Sequence, residues 1–105
     1  MALTKDFKDT VKARVAHDAA FRDALLIEAV EQLLSGDTET GKAVLRDYIN
    51  ATVGFESLGK VTGKPSKSLM RMFSSGGNPT ADNLFAILRT LQEASGIHLA
   101  VAVAR

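Results

Sequence analysis

The chain contains no cysteine, which excludes disulfides, thiol chemistry and cysteine-held zinc fingers. It has no apolar run approaching the ~18 residues of a membrane span. Its first residues, MALTKDFKD, lack the hydrophobic stretch of a secretory signal. The natural setting for such a sequence is a reducing cytoplasm. No nucleophile elbow, phosphate-binding loop or metal-ligand spacing occurs. The two histidines, His17 and His98, lie far apart, each near the edge of an element. Asp18, Asp23, Glu28 and Glu31 alternate with apolar positions, as the charges of a solvated helical face do. The run Ser74-Ser75-Gly76-Gly77 has the composition of a phosphate cradle, but lacks the preceding strand and the lysine that such loops use. The expectation is a protein that is not an enzyme, with no catalytic residue, no cofactor and no metal.

What remains is an ordinary globular composition, 46% hydrophobic and 24% charged over 105 residues, enough for one domain with a modest core. The net charge of +1 is unevenly spread. Residues 1–54 hold 7 Lys/Arg against 9 Asp/Glu, a net of −2. Residues 55–78 hold Lys60, Lys64, Lys67 and Arg71 against Glu56 alone, a net of +3, and residues 79–105 balance at 2 against 2. Such asymmetry points either to a local anionic partner or to a solvated cationic surface.

Helical signals run through most of the chain. Thr4 can cap a first helix, with Asp6 in its first turn, and Phe7, Val11 and Val15 form one apolar stripe. Asp18 caps a longer helix, Ala19 to Leu34, whose apolar arc of Phe21, Leu25, Leu26, Ala29, Val30 and Leu33 is broad enough to meet more than one neighbour. Ser35-Gly36 ends it. Asp37 caps a third helix carrying Val44, Leu45, Tyr48, Ile49 and Thr52. Gly54 interrupts, and a short helix starts at about Phe55. Thr80-Ala81-Asp82 opens a last helix bearing Leu84, Ile87, Leu88 and Leu91, closed by Gly96. The final IHLAVAVAR alternates in apolar bulk at Ile97, Leu99, Val101 and Val103, the period of a strand. No second strand is visible, so this segment either pairs with its own copy across a two-fold axis or packs as an extended tail. The expected fold is a mainly α helical bundle containing a helix-turn-helix, with one short C-terminal β-strand pairing across a dimer. It forms a single domain: N-terminal helices over 1–53, a core over 54–95 and the strand over 96–105.

The segment Phe55–Thr80 carries the functional expectation. Gly59 gives a small residue where two helices cross, and Gly63 tolerates the left-handed turn between them. Leu58, Leu69, Met72 and Phe73 are the expected buried residues. Ser66, Lys67, Met70, Arg71 and Ser74 are left facing outward along the second helix. Hydroxyls and long cations at the start of such a helix suit the major groove of DNA. Arg71 can offer a bidentate fork to guanine, Lys67 can reach guanine or phosphate, and Ser66 is short enough for close backbone approach. Lys60 and Lys64 suit phosphates, which position without specifying sequence. A second use of these helices is a protein-binding module without DNA, with Met70, Met72 and Phe73 as its apolar surface.

The pattern Leu58-x-x-x-Thr62-Gly63, Ser68-Leu69 and Gly77-Asn78-Pro79-Thr80 resembles the addiction-module antidote (antitoxin) branch of the Cro-like and Xre-like helix-turn-helix repressors. The likeness covers about residues 54–95. It implies base contacts from Ser66, Lys67 and Arg71, Ser74 near a phosphate, and a homodimer on a palindromic operator in double-stranded DNA. For the antidote branch it also implies a partner toxin. The chain departs from the family pattern at Gly54, Phe55 and Lys64, and at Pro65, which stands where a capping hydroxyl is usual. The three helices over residues 1–53 are no standard part of short antidotes.

Overall fold

The computed structural model describes residues 5–105, with the side chains of residues 5–8 and 11 excepted. The Thr4 cap and the contributions of Asp6, Phe7 and Val11 lie outside the described residues. Among the described residues six helices follow one another: α1 (Lys5–His17), α2 (Ala19–Leu34), α3 (Thr38–Ala51), α4 (Phe55–Thr62), α5 (Ser66–Met72) and α6 (Ala81–Ser95). None is long and apolar enough to cross a membrane.

Caps set most of the boundaries. The Asp18 carboxylate accepts the Phe21 amide at 3.0 Å, and Asp37 accepts the Thr40 amide at 3.1 Å. Thr80 accepts the Asn83 amide at 3.2 Å. Each satisfies one of the free amides of a first helical turn. Pro65 occupies the cap position of α5 with φ −60° and ψ 137°, and no side chain caps this helix. The Pro65 carbonyl accepts from Leu69 at 3.1 Å, so the proline stands just outside the helix with its fixed φ already suitable.

One apolar cluster joins α2 to α6: Leu26 and Ala29; Leu45, Tyr48 and Ile49; Phe55 and Leu58; Leu69 and Phe73; Ile87, Leu88 and Leu91. The most extensive helix contact is that of α2 with α3, and α1 lies against both. Among the described side chains of α1, Val15 is buried. On the other side α4 packs on α5 and on α6. The broad arc of α2 has the expected result, because that helix meets both α1 and α3. The acidic face of α2 is less uniformly solvated than its pattern suggests: Asp23 is half-buried, with one carboxylate oxygen inaccessible and unbonded.

No strand occurs among the described residues. After Gly96 the chain stays beside the end of α6, where the Ile97 amide donates to the Gln92 carbonyl at 3.1 Å and the Leu99 amide to the Gln92 side chain at 2.7 Å. Ile97 and Leu99 pack against the core, whereas Val101 and Val103 stand 85% and 80% exposed. The period of two is therefore present, but within one chain only its first half is covered. A strand needs a neighbouring strand to satisfy its amides, and a single chain offers none here.

Candidate nucleic-acid interface

Helices α4 and α5 are joined by three residues, Gly63 to Pro65. Gly63 has φ 71°, in the left-handed region. The chain then folds back so closely that a Cβ on Gly59 would lie 2.6 Å from the Lys64 carbonyl oxygen. The Lys64 amide donates to the Gly59 carbonyl at 3.0 Å, which closes the turn. Both glycines are thus required by geometry, one for its φ and one for the missing side chain.

The inner side of the pair is apolar and closed. Leu58, Leu69 and Phe73 are essentially inaccessible, and Met72 is half-buried against the same cluster. Phe55 and Phe73 meet with ring centroids 6.3 Å apart. Phe73 is therefore core, not part of an adaptable apolar surface, and of that expected trio only Met70 is exposed.

The outer side carries Lys67, Met70 and Arg71, all exposed, with Ser66 half-buried at the start of the helix. Residues 67, 70, 71 and 74 follow the i, i+3, i+4, i+7 spacing of one helical face. Ser74 lies at the far end and is half-buried; its hydroxyl donates to the Arg71 carbonyl at 2.6 Å. It closes the end of its own helix instead of standing free. Lys60 is exposed and Lys64 half-buried, and together with Glu56, Gly59 and Ser66 they rim one shallow depression beside the turn. Lys60, Lys64, Lys67 and Arg71 form no ion pair with any described carboxylate; the ion pairs of the described residues join Arg14 to Asp18, Lys42 to Glu39 and Arg89 to Glu93. Four cations outside any ion pair of the described residues therefore share the α4–α5 surface with one carboxylate, Glu56.

Two further cations act on this pair from beneath. Lys42 is 5% exposed and directs its ammonium group at the chain leaving α5, and Arg46, one turn along α3, does the same. Neither was expected from the sequence. The available signal was their placement: residues 42, 45, 46 and 49 share a face of α3, so a cation at 42 falls within the buried stripe of Leu45 and Ile49.

Both histidines are exposed. Among the described residues no group of three or more His, Asp or Glu side chains could hold a metal ion. Compared with known proteins, the chain matches no family model, no curated protein and no solved structure.

Proposed function

We infer that the chain is a sequence-specific DNA-binding regulator, in which α4, the Gly63 turn and α5 make a helix-turn-helix and α5 enters the major groove. The observation that carries this reading is the outer face of α5: Lys67 and Arg71 exposed, unpaired, and flanked by unpaired Lys60 and Lys64. Arg71 and Lys67 face base edges, Ser66 lets the backbone approach, Met70 meets apolar groups in the groove, and Lys60 and Lys64 meet phosphates. Ser74 contributes by shaping the end of the helix, since its hydroxyl is already engaged. The resemblance to Cro-like and Xre-like repressors supports the same assignment, and through its antidote branch adds a toxin as a further partner.

The acting species is a homodimer whose C-terminal segments pair as antiparallel strands. In support, the amides and carbonyls of residues 100–105 make no hydrogen bond within the described chain, and Val101 and Val103 are uncovered. Two copies would set their α5 helices one DNA turn apart, about 34 Å, to read a palindrome.

The test is binding to the chain's own upstream DNA and to random duplex over a range of salt. Affinity falls steeply as salt rises, because phosphate contacts release counterions, and the upstream DNA is preferred. A folded chain with no salt-sensitive duplex binding would sink this function. Deleting residues 97–105 yields monomers; a dimer that survives the deletion would put the interface elsewhere.

A further inference from the structure

We propose that Lys42 is the positioning residue for α5, setting the angle of the DNA-reading face by gripping the backbone at the helix's exit without touching DNA. The inference rests on the DNA-binding function above. Lysine is among the residues least often buried, because its charge loses hydration unless every donor finds a partner. Lys42 has three, and all are used: Glu39 Oε1 at 2.8 Å, the Ser74 carbonyl at 3.3 Å and the Gly77 carbonyl at 2.5 Å. Glu39 is 60% exposed, so that pair could form equally well at the surface. It is the two carbonyls that draw the ammonium inward.

Those carbonyls belong to the chain just past Met72. Arg46 donates to a third, that of Phe73, at 3.2 Å. All three carbonyls lie beyond Met72, the last residue of α5, and a cation placed beside a helix C-terminus is favoured by the helix dipole. Helix α5 has seven residues, two turns, too few to hold itself in place. Its direction is set by what holds its sides and ends. At the exit, the contact is as close as backbone allows: a Cβ on Gly77 would fall 2.1 Å from the Arg71 carbonyl oxygen and 2.7 Å from that of Met72.

A short relay then joins α3 to the reading face. Lys42 donates to the Ser74 carbonyl, and the amide and hydroxyl of Ser74 donate to the Arg71 carbonyl at 3.2 and 2.6 Å. Arg71 is the residue assigned to base recognition. Helix α3 is itself fixed on α2, where a Cβ on Gly41 would meet the Leu33 side chain at 2.6 Å. Helices α1 to α3 thereby gain a role: they are the frame against which α5 is aimed.

The experiment uses the full chain and a duplex that the wild-type chain selects from a random library. Lys42→Met, Lys42→Arg and Val15→Ala are compared; Val15 is buried on α1 and supplies a control with lowered stability but an intact grip. Each variant is titrated with the selected duplex and with random duplex, under conditions where all are folded. Amide exchange of residues 69–77 is followed in parallel. Lys42→Met loses about ten- to a hundredfold on the selected duplex, the range expected when one bidentate base contact is misplaced. Random-duplex affinity and the salt slope hold, exchange at 73–77 quickens, and Lys42→Arg recovers part of the selectivity. Undiminished selectivity in Lys42→Met would overturn the proposal. So would an equal loss on both duplexes with a shallower salt slope, which would make Lys42 a phosphate contact. An equal loss of selectivity in Val15→Ala would reduce its role to general stability. If Lys42→Met does not fold, Arg46→Gln, half-buried at the same exit, is judged by the same criteria. If the wild-type chain selects no duplex, the DNA function falls and Lys42 positions nothing for DNA, while unchanged exchange at 73–77 would separately refute the grip.

Discussion

The Tyr48 hydroxyl and the Ser95 hydroxyl meet at 2.6 Å, joining the last turn of α3 to the last turn of α6 across 47 residues of chain. The two partners are unequally placed: Tyr48 is inaccessible to water, whereas Ser95 is only half-buried. Removing either hydroxyl breaks the same bond, but the consequences differ. In Tyr48→Phe the Ser95 hydroxyl turns to water, and the loss is that of an ordinary hydrogen bond, about 0.5–1.5 kcal/mol. In Ser95→Ala the Tyr48 hydroxyl stays buried without a partner, which costs about 1–3 kcal/mol. Urea unfolding of both variants checks the order. Equal losses, or a larger loss for Tyr48→Phe, would mean that water reaches the Tyr48 hydroxyl.

Gly59 and Gly63 fail for different reasons when substituted. Gly63→Ala places a side chain in the left-handed region, with open space around it, so its cost is conformational, about 1–2 kcal/mol. Asparagine tolerates that region better, and Gly63→Asn recovers part of the loss. Gly59→Ala instead drives a methyl group into the Lys64 carbonyl, and backbone must move to admit it. The cost is that of overpacking, about 1–3 kcal/mol, and no choice of small side chain relieves it. On the DNA-binding function, Gly63→Asn retains duplex binding when folded and Gly59→Ala does not, because only the latter displaces the start of α5. Thermal unfolding paired with duplex titration separates the two.

Acid stability should follow the two aspartate caps. The Asp18 carboxyl is held below its ordinary value near 3.8, first by the Phe21 amide, with Arg14 assisting. Asp37 is lowered from the same value by the hydroxyl and then the amide of Thr40. A carboxyl that binds its proton more weakly when folded adds stability that is complete above the unfolded value. That stability is lost as pH falls through the lower folded value. The midpoint of urea unfolding therefore stays level from neutral pH to about pH 5 as far as these groups are concerned, and drops below about pH 4. Asparagine keeps an acceptor for the capping amide but does not titrate in this range. Asp18→Asn and Asp37→Asn give up part of that stability at neutral pH, because the amide carries no charge for Arg14 and has one oxygen where Asp37 uses two, and they flatten the acid limb. An unaltered acid limb in the double variant would assign acid sensitivity to other carboxylates.

How much of the fold is legible in the sequence depends on the range of each interaction. Asp18, Asp37 and Thr80 bond to amides three residues ahead, so their helices begin where the sequence suggests. Gly59 and Gly63 act on a partner no further along the chain than Lys64 and are equally legible. Lys42 is not, since its carbonyl partners lie 32 and 35 residues away and any residue type can supply a carbonyl. Ser74 has the composition of an outward hydroxyl, yet the Arg71 carbonyl lies within its reach and takes it inward. The tail shows a different limit. Its alternation is real, with Ile97 and Leu99 covered and Val101 and Val103 bare, but periodicity records which residues want cover and not what supplies it.

Arg71 and Lys60 give the most discriminating pair on the proposed interface, because they stand on different helices and are assigned different work. Arg71 is exposed on the outer face of α5, and its guanidinium suits the paired acceptors of guanine. Arg71→Ala costs about 1–3 kcal/mol on the selected duplex and relaxes the preference at one base pair of each half-site. Lys60 is exposed on α4, beside the turn, where a phosphate is the natural partner. Lys60→Ala weakens every duplex by a similar factor and reduces the salt slope by about one per protomer bound. Titrations on a set of single-base variants of the selected duplex, at several salt concentrations, read both effects together. If Arg71→Ala weakened all sequences alike, Arg71 would be a phosphate contact, and specificity would have to come from Lys67 and Ser66 at the opposite end of the helix.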